Sequence, residues 1–318
     1  MREATSMKGI DIVIVNWNSG TQLRECLRSI ETSRNEAAPL TVTVVDNASS
    51  DGSADGLPSP SYALRVIRNP ANLGFGRASN LGAREGNAGY LLFLNPDTRL
   101  HPGALSIPLE FMESEAGRQV GICGVQCLDD AGRIARCCAR FPTAWRLIGQ
   151  ALGLDRLFPG WISPHFLNEW PHDTDRDVDQ VIGAFFFVRR AVFDQLDGFD
   201  ERFFVYYEDL DFALRARRAG WDSRYLARAK IFHRGGGVSR QISARRLYYL
   251  TNSKLLYARK HLAGIEAFLV AGAVLLLEPL ARSAYALGRG SLGEFSDTWK
   301  AFGWLYASLS RLGGGNRR

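Results

Sequence analysis

Ile10-Asp11-Ile12-Val13-Ile14-Val15 runs straight into Asn16-Trp17-Asn18-Ser19-Gly20, a change from β-branched to polar residues that decides how the rest of the chain is read. A run this apolar suits a short strand covered on both faces. Thr21–Thr32 then places Leu23, Leu27 and Ile30 on one helical face. The alternation repeats. Leu40–Val45 is a second strand, stopping at Asp46-Asn47-Ala48-Ser49-Ser50-Asp51-Gly52-Ser53, and Tyr62–Ile67 is a third. Phe75–Glu85 is a helix closed by Gly86-Asn87, and Tyr90–Leu94 is a strand that stops at Asn95-Pro96-Asp97. Buried strands separated by helices predict an α/β fold on a mostly parallel sheet. Ligands of such sheets bind outside the carboxyl ends of the strands, so Asn16, Asp46 and Asp97 are expected on one rim.

Farther on, Pro102–Ala116 reads as a helix and Val120–Val125 as a strand, while residues 129–180 are irregular and rich in Pro, Trp and Asp. Val181–Val188 returns as one apolar strand, Asp209–Ala219 as a helix, and Tyr225–Phe232 as one or two strands ending before His233. Ala244–His261 is a basic, Tyr-rich helix, followed by further helices with apolar and aromatic faces. Three parts follow: 1–128 and 129–242 as two halves of one domain, and 243–318 as a basic amphipathic helical extension. The longest apolar run of that extension, Ala267–Leu277, is closed by Glu278 and Pro279. Eleven residues are too few to span a bilayer core of about 30 Å, which leaves contact with a membrane surface.

The 318 residues are 46% apolar and 23% charged, enough for one large α/β unit or two modest domains and unlike a disordered, fibrous or disulfide-stapled chain. Formal net charge is +6, unevenly spread: residues 202–318 carry 20 basic and 8 acidic side chains, residues 1–201 carry 19 and 25. Positive charge gathered at one end fits a bilayer face or phosphorylated lipid. Nucleic acid is disfavoured, because no zinc finger and no RNP-like aromatic sequence accompanies the arginines. The five cysteines (Cys26, Cys123, Cys127, Cys137, Cys138) are odd in number and form no CxxC pair. They read as reduced and packed, in a cytoplasmic protein; Cys123 and Cys127 lack partners at zinc-finger spacing. Met1–Gly9 has no signal-peptide apolar region, which also fits the cytoplasm.

Each polar cluster has a local reading and a chemical one. Asn16, Asn18 and the Asp46–Ser53 run contain good turn and cap residues, but Asp46 at a strand end is also placed to accept donors from a base or ribose. Asn72-Leu73-Gly74-Phe75-Gly76 opens the helix that carries Asn80; its glycines allow close backbone approach and its N–H groups suit an anion. No Walker A lysine is present, so a P-loop nucleotidase is disfavoured. In Asn95-Pro96-Asp97, proline stops the strand and leaves Asp97 to project, either capping the next helix or joining a diphosphate in holding a hard divalent cation. Glu208-Asp209-Leu210-Asp211 begins a helix directly after Tyr206-Tyr207, where the dipole favours carboxylates and keeps Asp209 ionised for work as a base. His233, with Arg234, Arg240 and the glycines 235–237, is a candidate for metal or diphosphate contact.

Taken in order, these pieces together with Gly198-Phe199-Asp200-Glu201 resemble a family-2 glycosyltransferase of the rhamnosyltransferase-like branch, over roughly residues 9–260. The resemblance implies a GT-A fold, a nucleotide-diphospho-sugar donor, Mg²⁺ or Mn²⁺, and inversion at the anomeric carbon. It implies that Asp46 recognises the donor base, with Asn16, Asn18, Asn72, Gly74, Asn80 and Asn95 around the donor. Asp97 matches the metal-binding end of the DxD-type motif, His233 a late histidine of the metal or diphosphate site. Asp209 matches the catalytic base, with Glu208 orienting it or touching acceptor, and Tyr207 and Arg234 on the acceptor side. Asn95 stands where many relatives have Asp. That departure marks the subtype; it is also the basis for the alternative, a non-enzymatic nucleotide-sugar or polysaccharide-binding protein. By analogy the donor is dTDP-L-rhamnose, with UDP-hexoses and UDP-galactofuranose behind it. The acceptor is a glycan or polyprenyl-diphosphate-linked saccharide at the inner membrane face, and a homodimer is left open.

Overall fold

Seven consecutive Cα partners, from Ile10↔Leu40 to Asn16↔Asp46, tie the first two strands in parallel and set their polar ends side by side. The computed structural model describes residues 9–33, 38–158, 160–235 and 243–314, with side chains as far as 309. Its strands are β1 (Ile10–Asn16), β2 (Leu40–Asp46), β3 (Ala63–Arg68), β4 (Tyr90–Leu94), β5 (Thr98–Leu100), β6 (Val120–Leu128), β7 (Ile134–Ala135), β8 (Cys138–Ala139), β9 (Arg176–Val178), β10 (Gln180–Val181), β11 (Phe185–Arg189) and β12 (Asp222–His233). Helices α1 (Gln22–Ser33), α2 (Phe75–Ala83), α3 (Ser106–Glu113), α4 (Ala144–Ala151), α5 (Leu154–Leu157), α6 (Arg190–Gln195) and α7 (Glu208–Arg218) alternate with them. Four more helices follow: α8 (Ser243–His261), α9 (Gly264–Gly272), α10 (Glu278–Gly288) and α11 (Leu292–Gly314).

The main sheet has the order β3-β2-β1-β4-β11-β6-β12-β5. The α/β class is as expected, but the sheet is mixed. β3, β2, β1 and β4 are parallel, β11 lies antiparallel between β4 and β6, and β12 runs parallel to β6. An apolar strand buried on both faces carries no mark of its direction, which is why Phe185–Arg189 did not announce the reversal. Two antiparallel steps restore the direction, so the carboxyl ends of β1, β2, β4, β6 and β12 and the start of β11 share one rim. The order turns back between β1 and β4, the switch point at which open α/β sheets form their crevice.

Two compact units partition the chain. The first takes residues up to Phe141, Phe166–Phe204 and 208–238, so the expected 129–242 half is divided, with Pro142–His165 and Val205–Tyr207 outside this unit. Its core runs through Ile12, Ile14, Val44, Leu92, Phe93, Phe186, Phe187, Phe199 and Phe212, all buried. The second collects Pro142–His165, Val205–Tyr207 and residues from 239 on. Pro142–His165 therefore packs with the C-terminal helices, its Leu147 and Ala151 forming a small core with Ala258, Val270 and Val274.

Within the second unit the helical axis does not stop at Glu278. Gly264–Gly288 is one continuous helix of 25 residues, long and apolar enough to cross a membrane. This corrects the length read from Ala267–Leu277. A π-helical turn at Ala273–Leu277 precedes Pro279, which sits in the first turn of α10, where its missing N–H costs little. Glu278 is buried between Lys254 at 3.0 Å and Arg282 at 2.8 Å.

Candidate active site

β1 and β2 deliver Asn16 and Asp46 as register partners at the rim. Asn16 is fully buried, and its Nδ2 donates to Asp46 Oδ1 at 2.8 Å, Ser53 Oγ at 2.9 Å and Ser49 Oγ at 3.0 Å, while its Oδ1 accepts from Ser19. Asn18, in a left-handed conformation at φ 49°, accepts from Ser50 N at 2.8 Å and donates its own N–H to Ser49 Oγ at 3.0 Å. The turn residues of 46–53 thus close a turn and hold the Asp46 carboxylate in place.

Asn47, which the sequence reading left without a role, is buried and bridges two neighbours. Its Nδ2 donates to Gly74 O at 3.0 Å and its Oδ1 accepts from Asn69 Nδ2 at 2.8 Å. Gly74 precedes α2 with φ 83°, its N–H donating to Asn72 Oδ1 at 2.9 Å. A side chain there would collide with the Phe204 carbonyl, which also accepts from Phe75 N at 2.6 Å. Asn80 faces elsewhere: its side chain exchanges two hydrogen bonds of 2.8 and 2.9 Å with the backbone of Phe199. It anchors the Gly198–Glu201 loop, with Glu201 Oε1 a further acceptor at 3.3 Å.

Beyond β4 the chain turns at Asn95-Pro96-Asp97, with the Asn95 carbonyl accepting from Thr98 Oγ1 at 2.6 Å. Pairing of β5 with β12 sets Thr98 opposite His233, and Asp97 Oδ1 stands 3.4 Å from His233 Nε2. Both side chains are mostly buried yet reach solvent. A carboxylate oxygen and an imidazole nitrogen this close, at a partly open edge, can share one divalent cation and leave positions for substrate oxygens. Arg234 is exposed, its N–H donating to Asp97 O at 3.3 Å. Residues 236–242, including the remaining glycines and Arg240, lie outside the described residues.

The expected single strand Val181–Val188 is in fact two, β10 and β11, separated at Ile182-Gly183-Ala184. The break has a use. Gly183 N donates to Asp209 Oδ2 at 2.8 Å, and the next residue's carbonyl, Ala184 O, accepts from Asn95 N at 3.1 Å. One dipeptide therefore links the base candidate to the Asn95-Pro96-Asp97 turn. Asp209 Oδ1 accepts from Leu210 N at 2.8 Å, and Gln180 also hydrogen-bonds the carboxylate. Burial raises the Asp209 carboxyl above its usual range, with the Leu210, Gly183 and Gln180 donors opposing that shift. Glu208 is pushed up much further, by burial and then by the adjacent Asp209, and its Oε2 is buried without a partner. Gln180 and Gly183 escaped the sequence reading because Asp209 lies 26 residues beyond Gly183 and no local pattern joins them. Tyr207 packs against Tyr257 within the second unit, ring centroids 5.5 Å apart and planes tilted by 55°.

A mixed sheet with this rim is the GT-A fold of nucleotide-sugar transferases. The solved mannosyltransferase PcManGT from Pyrobaculum calidifontis, in complex with GDP-Man and Mn²⁺, superposes with a TM-score of 0.53 at 18% identity, covering 95% of this chain and 79% of that one. A family model described as glycosyl transferase family 2 matches residues 11–196, and the chain belongs to that family. The match ends before α7. Among its relatives, the N-acetylglucosaminyl-diphospho-decaprenol L-rhamnosyltransferase of Mycobacterium tuberculosis is 29% identical over 237 residues, 70% of this chain and 75% of the relative. Rhamnosyltransferase WbbL of Escherichia coli K12 is 26% identical over 208 residues, 61% of this chain and 74% of the relative. The chain is a family-2 glycosyltransferase similar to the rhamnosyltransferases.

Proposed function

We propose that this glycosyltransferase moves L-rhamnose from dTDP-L-rhamnose to a polyprenyl-diphosphate-linked saccharide, with inversion at the anomeric carbon. The observation that carries the chemistry is the setting of Asp209. Its two oxygens are fixed by Leu210 N and Gly183 N, one residue from the hydrogen bond to Asn95. Asp209 takes the proton from an acceptor hydroxyl aligned opposite the departing diphosphate, in one displacement. Backbone fixation aims the carboxylate, and its raised basicity suits it to the task. Glu208 and Gln180 position it. Asp46, Asn18, Asn72, Gly74 and Asn95 face the donor, with Asn16 and Asn80 holding their loops.

Asp97 and His233 would hold Mg²⁺ or Mn²⁺, which when bound neutralises charge on the diphosphate. Arg234 adds a cation beside them, and Tyr207 is assigned to the acceptor side. The donor and acceptor follow from the relatives' names, in which rhamnose and a decaprenyl-diphosphate-linked sugar appear.

A membrane surface is the proposed site of action, from the cytoplasmic side. The second unit exposes Trp145, Leu157, Phe158, Trp161, Phe268 and Leu276, with Arg245, Arg246 and Arg259 also exposed on α8. Glu278 in mid-helix, bound to Lys254 and Arg282, favours lying on the bilayer over crossing it.

The test is a product assay over a nucleotide-sugar panel with a lipid-linked acceptor extract, with and without chelator. Rhamnosyl product that disappears on chelation supports the proposal. Metal-dependent nucleotide binding with no product from any donor would replace it with the non-enzymatic binding protein. Flotation with anionic vesicles but not neutral ones checks the membrane assignment.

A further inference from the structure

Outside the active site, the segment that looked least ordered in the sequence contains the most concentrated set of soft ligands. Cys137, Cys138 and His172 bring their donor atoms within 4.8 Å of one another, all buried, the one such group of His, Cys, Asp or Glu among the described residues. A fourth ligand is at hand. Cys127, at the end of β6, hydrogen-bonds Cys137, and the two thiols converge on the Val125 carbonyl at 3.8 and 3.6 Å. Spacing did not reveal this quartet, because β6, β8 and the 166–175 loop are brought together only by the fold. Cys127 is also packed in the hydrophobic core, as expected.

The histidine is prepared for a metal. His172 Nδ1 lies 2.8 Å from the Trp170 carbonyl, which has no proton to give, so Nδ1 carries the hydrogen and Nε2 the lone pair. That lone pair accepts a long 3.3 Å hydrogen bond from Cys138 N, which a bound metal would displace. The backbone of His172 is left-handed at φ 62°, and its carbonyl is held by Tyr225 Oη at 2.7 Å and Gln126 Nε2 at 2.9 Å. Trp170 stacks on the imidazole at 4.2 Å.

We propose that Cys127, Cys137, Cys138 and His172 bind a structural Zn²⁺ that fastens β8 and the 166–175 loop to β6. Three thiolates and one imidazole make a closed tetrahedral set of the kind zinc takes in structural sites. Such a site needs donor atoms roughly 3.5–4 Å apart, given bonds of about 2.3 and 2.0 Å, so Cys137, Cys138 and His172, whose donors lie within 4.8 Å of one another, close by about 1 Å and Cys127 turns in to complete the set. Binding releases three thiol protons to solvent and leaves one net negative charge, within the influence of Arg176, which already acts on Cys138. The consequence reaches the active site. β8 pairs with β10 through Val181↔Cys138, and Ile182 N donates to Cys137 O at 3.0 Å. Gln180 and Gly183, the two β10-side partners of Asp209, therefore flank Val181 and Ile182, which pair with the ligands Cys138 and Cys137.

The experiment uses the whole chain, expressed in zinc-supplemented medium under reducing conditions and purified without chelator. Elemental analysis is expected to give about one zinc per chain, retained through dialysis against EDTA, as a closed site requires. Substitution with Co²⁺ should give thiolate-to-cobalt charge transfer and intense tetrahedral d–d absorption. Cys123→Ser keeps the metal; His172→Ala and Cys138→Ser lose it by about tenfold or more. Should those two variants not fold, the wild-type metal content and cobalt spectrum still decide. Folded wild type with under about 0.1 metal per chain, or a disulfide joining Cys127, Cys137 or Cys138, overturns the proposal. So does loss of all zinc from the Asp97→Asn/His233→Ala double variant, which would place the ion at the rim.

Discussion

Two carboxylates at the same rim live under opposite conditions. Asp46 sits in a network in which every polar atom of Asn16 is used, joined to Ser49 and Ser53. Asp209 has a raised carboxyl beside Glu208, whose buried Oε2 has no partner, and the two residues before them, Tyr206 and Tyr207, are both left-handed at φ 69°. Satisfied buried networks rigidify; unsatisfied groups and backbone strain persist where function needs them. The Asp46 region is built to hold a shape, and the Asp209 region is where the proposed reaction falls. The contrast predicts that substitutions at the first are read mainly in stability and donor affinity, and at the second mainly in turnover.

The largest effect is expected at Asp209. Asp209→Asn keeps one oxygen to accept from Gly183 N or Leu210 N, loses the other hydrogen bond because an amide nitrogen cannot accept, and cannot take a proton, so kcat falls by about 10²–10⁴ while donor binding, followed by calorimetry, is retained. Near-wild-type turnover would remove Asp209 from its role. Next comes Asn16→Ala, which strips partners from Asp46, Ser19, Ser49 and Ser53 at once. Urea denaturation should show a loss of about 3 kcal/mol, since buried groups left unpaired cost roughly 1–3 kcal/mol each. If stability is unchanged and only kcat drops, the division between the two regions is wrong. A smaller effect is expected at Gln180→Leu, which removes a donor to the Asp209 carboxylate. The Asp209 pKa rises further, the acidic limb of kcat/KM moves to higher pH, and kcat drops about tenfold. A uniform loss at all pH values would mean that Gln180 merely packs.

How much of this was readable in advance follows the range of the forces involved. Asn16, Asp46 and Asp97 could be placed because a strand ending on a polar residue is a local event, and one topological rule then gathers strand ends on a rim. The reversal of β11 could not be, since Phe185-Phe186-Phe187-Val188 is apolar in either direction. The break at Gly183 was hidden inside an apolar run; it exists because Asp209 claims that N–H. Asn80 carried a donor role by resemblance, whereas its amide pairs with Phe199, 119 residues away. Glu278 and Pro279 read as a helix end because a lone charge and a proline usually are. The Lys254 partner and the π-helical turn that accommodate them belong to tertiary structure.

The smallest effect separates the two regions by its sign. Glu208 has a folded pKa raised well above its unfolded value of about 4.3, chiefly by burial. Its contribution to stability is therefore complete below the unfolded pKa and is lost as pH rises through the folded one. Glu208→Gln has no proton to lose, so the variant should gain on wild type as pH rises from acid through neutral, by about 1–2 kcal/mol given the usual cost of an unsatisfied buried group. Thermal melts at matched ionic strength across that interval measure the difference. A stabilised variant with slowed transfer fits a carboxyl kept at the base for function at the expense of the fold. A destabilised one would mean that Glu208 helps to hold α7 in place, and the contrast with Asp46 would shrink to Asp209 alone.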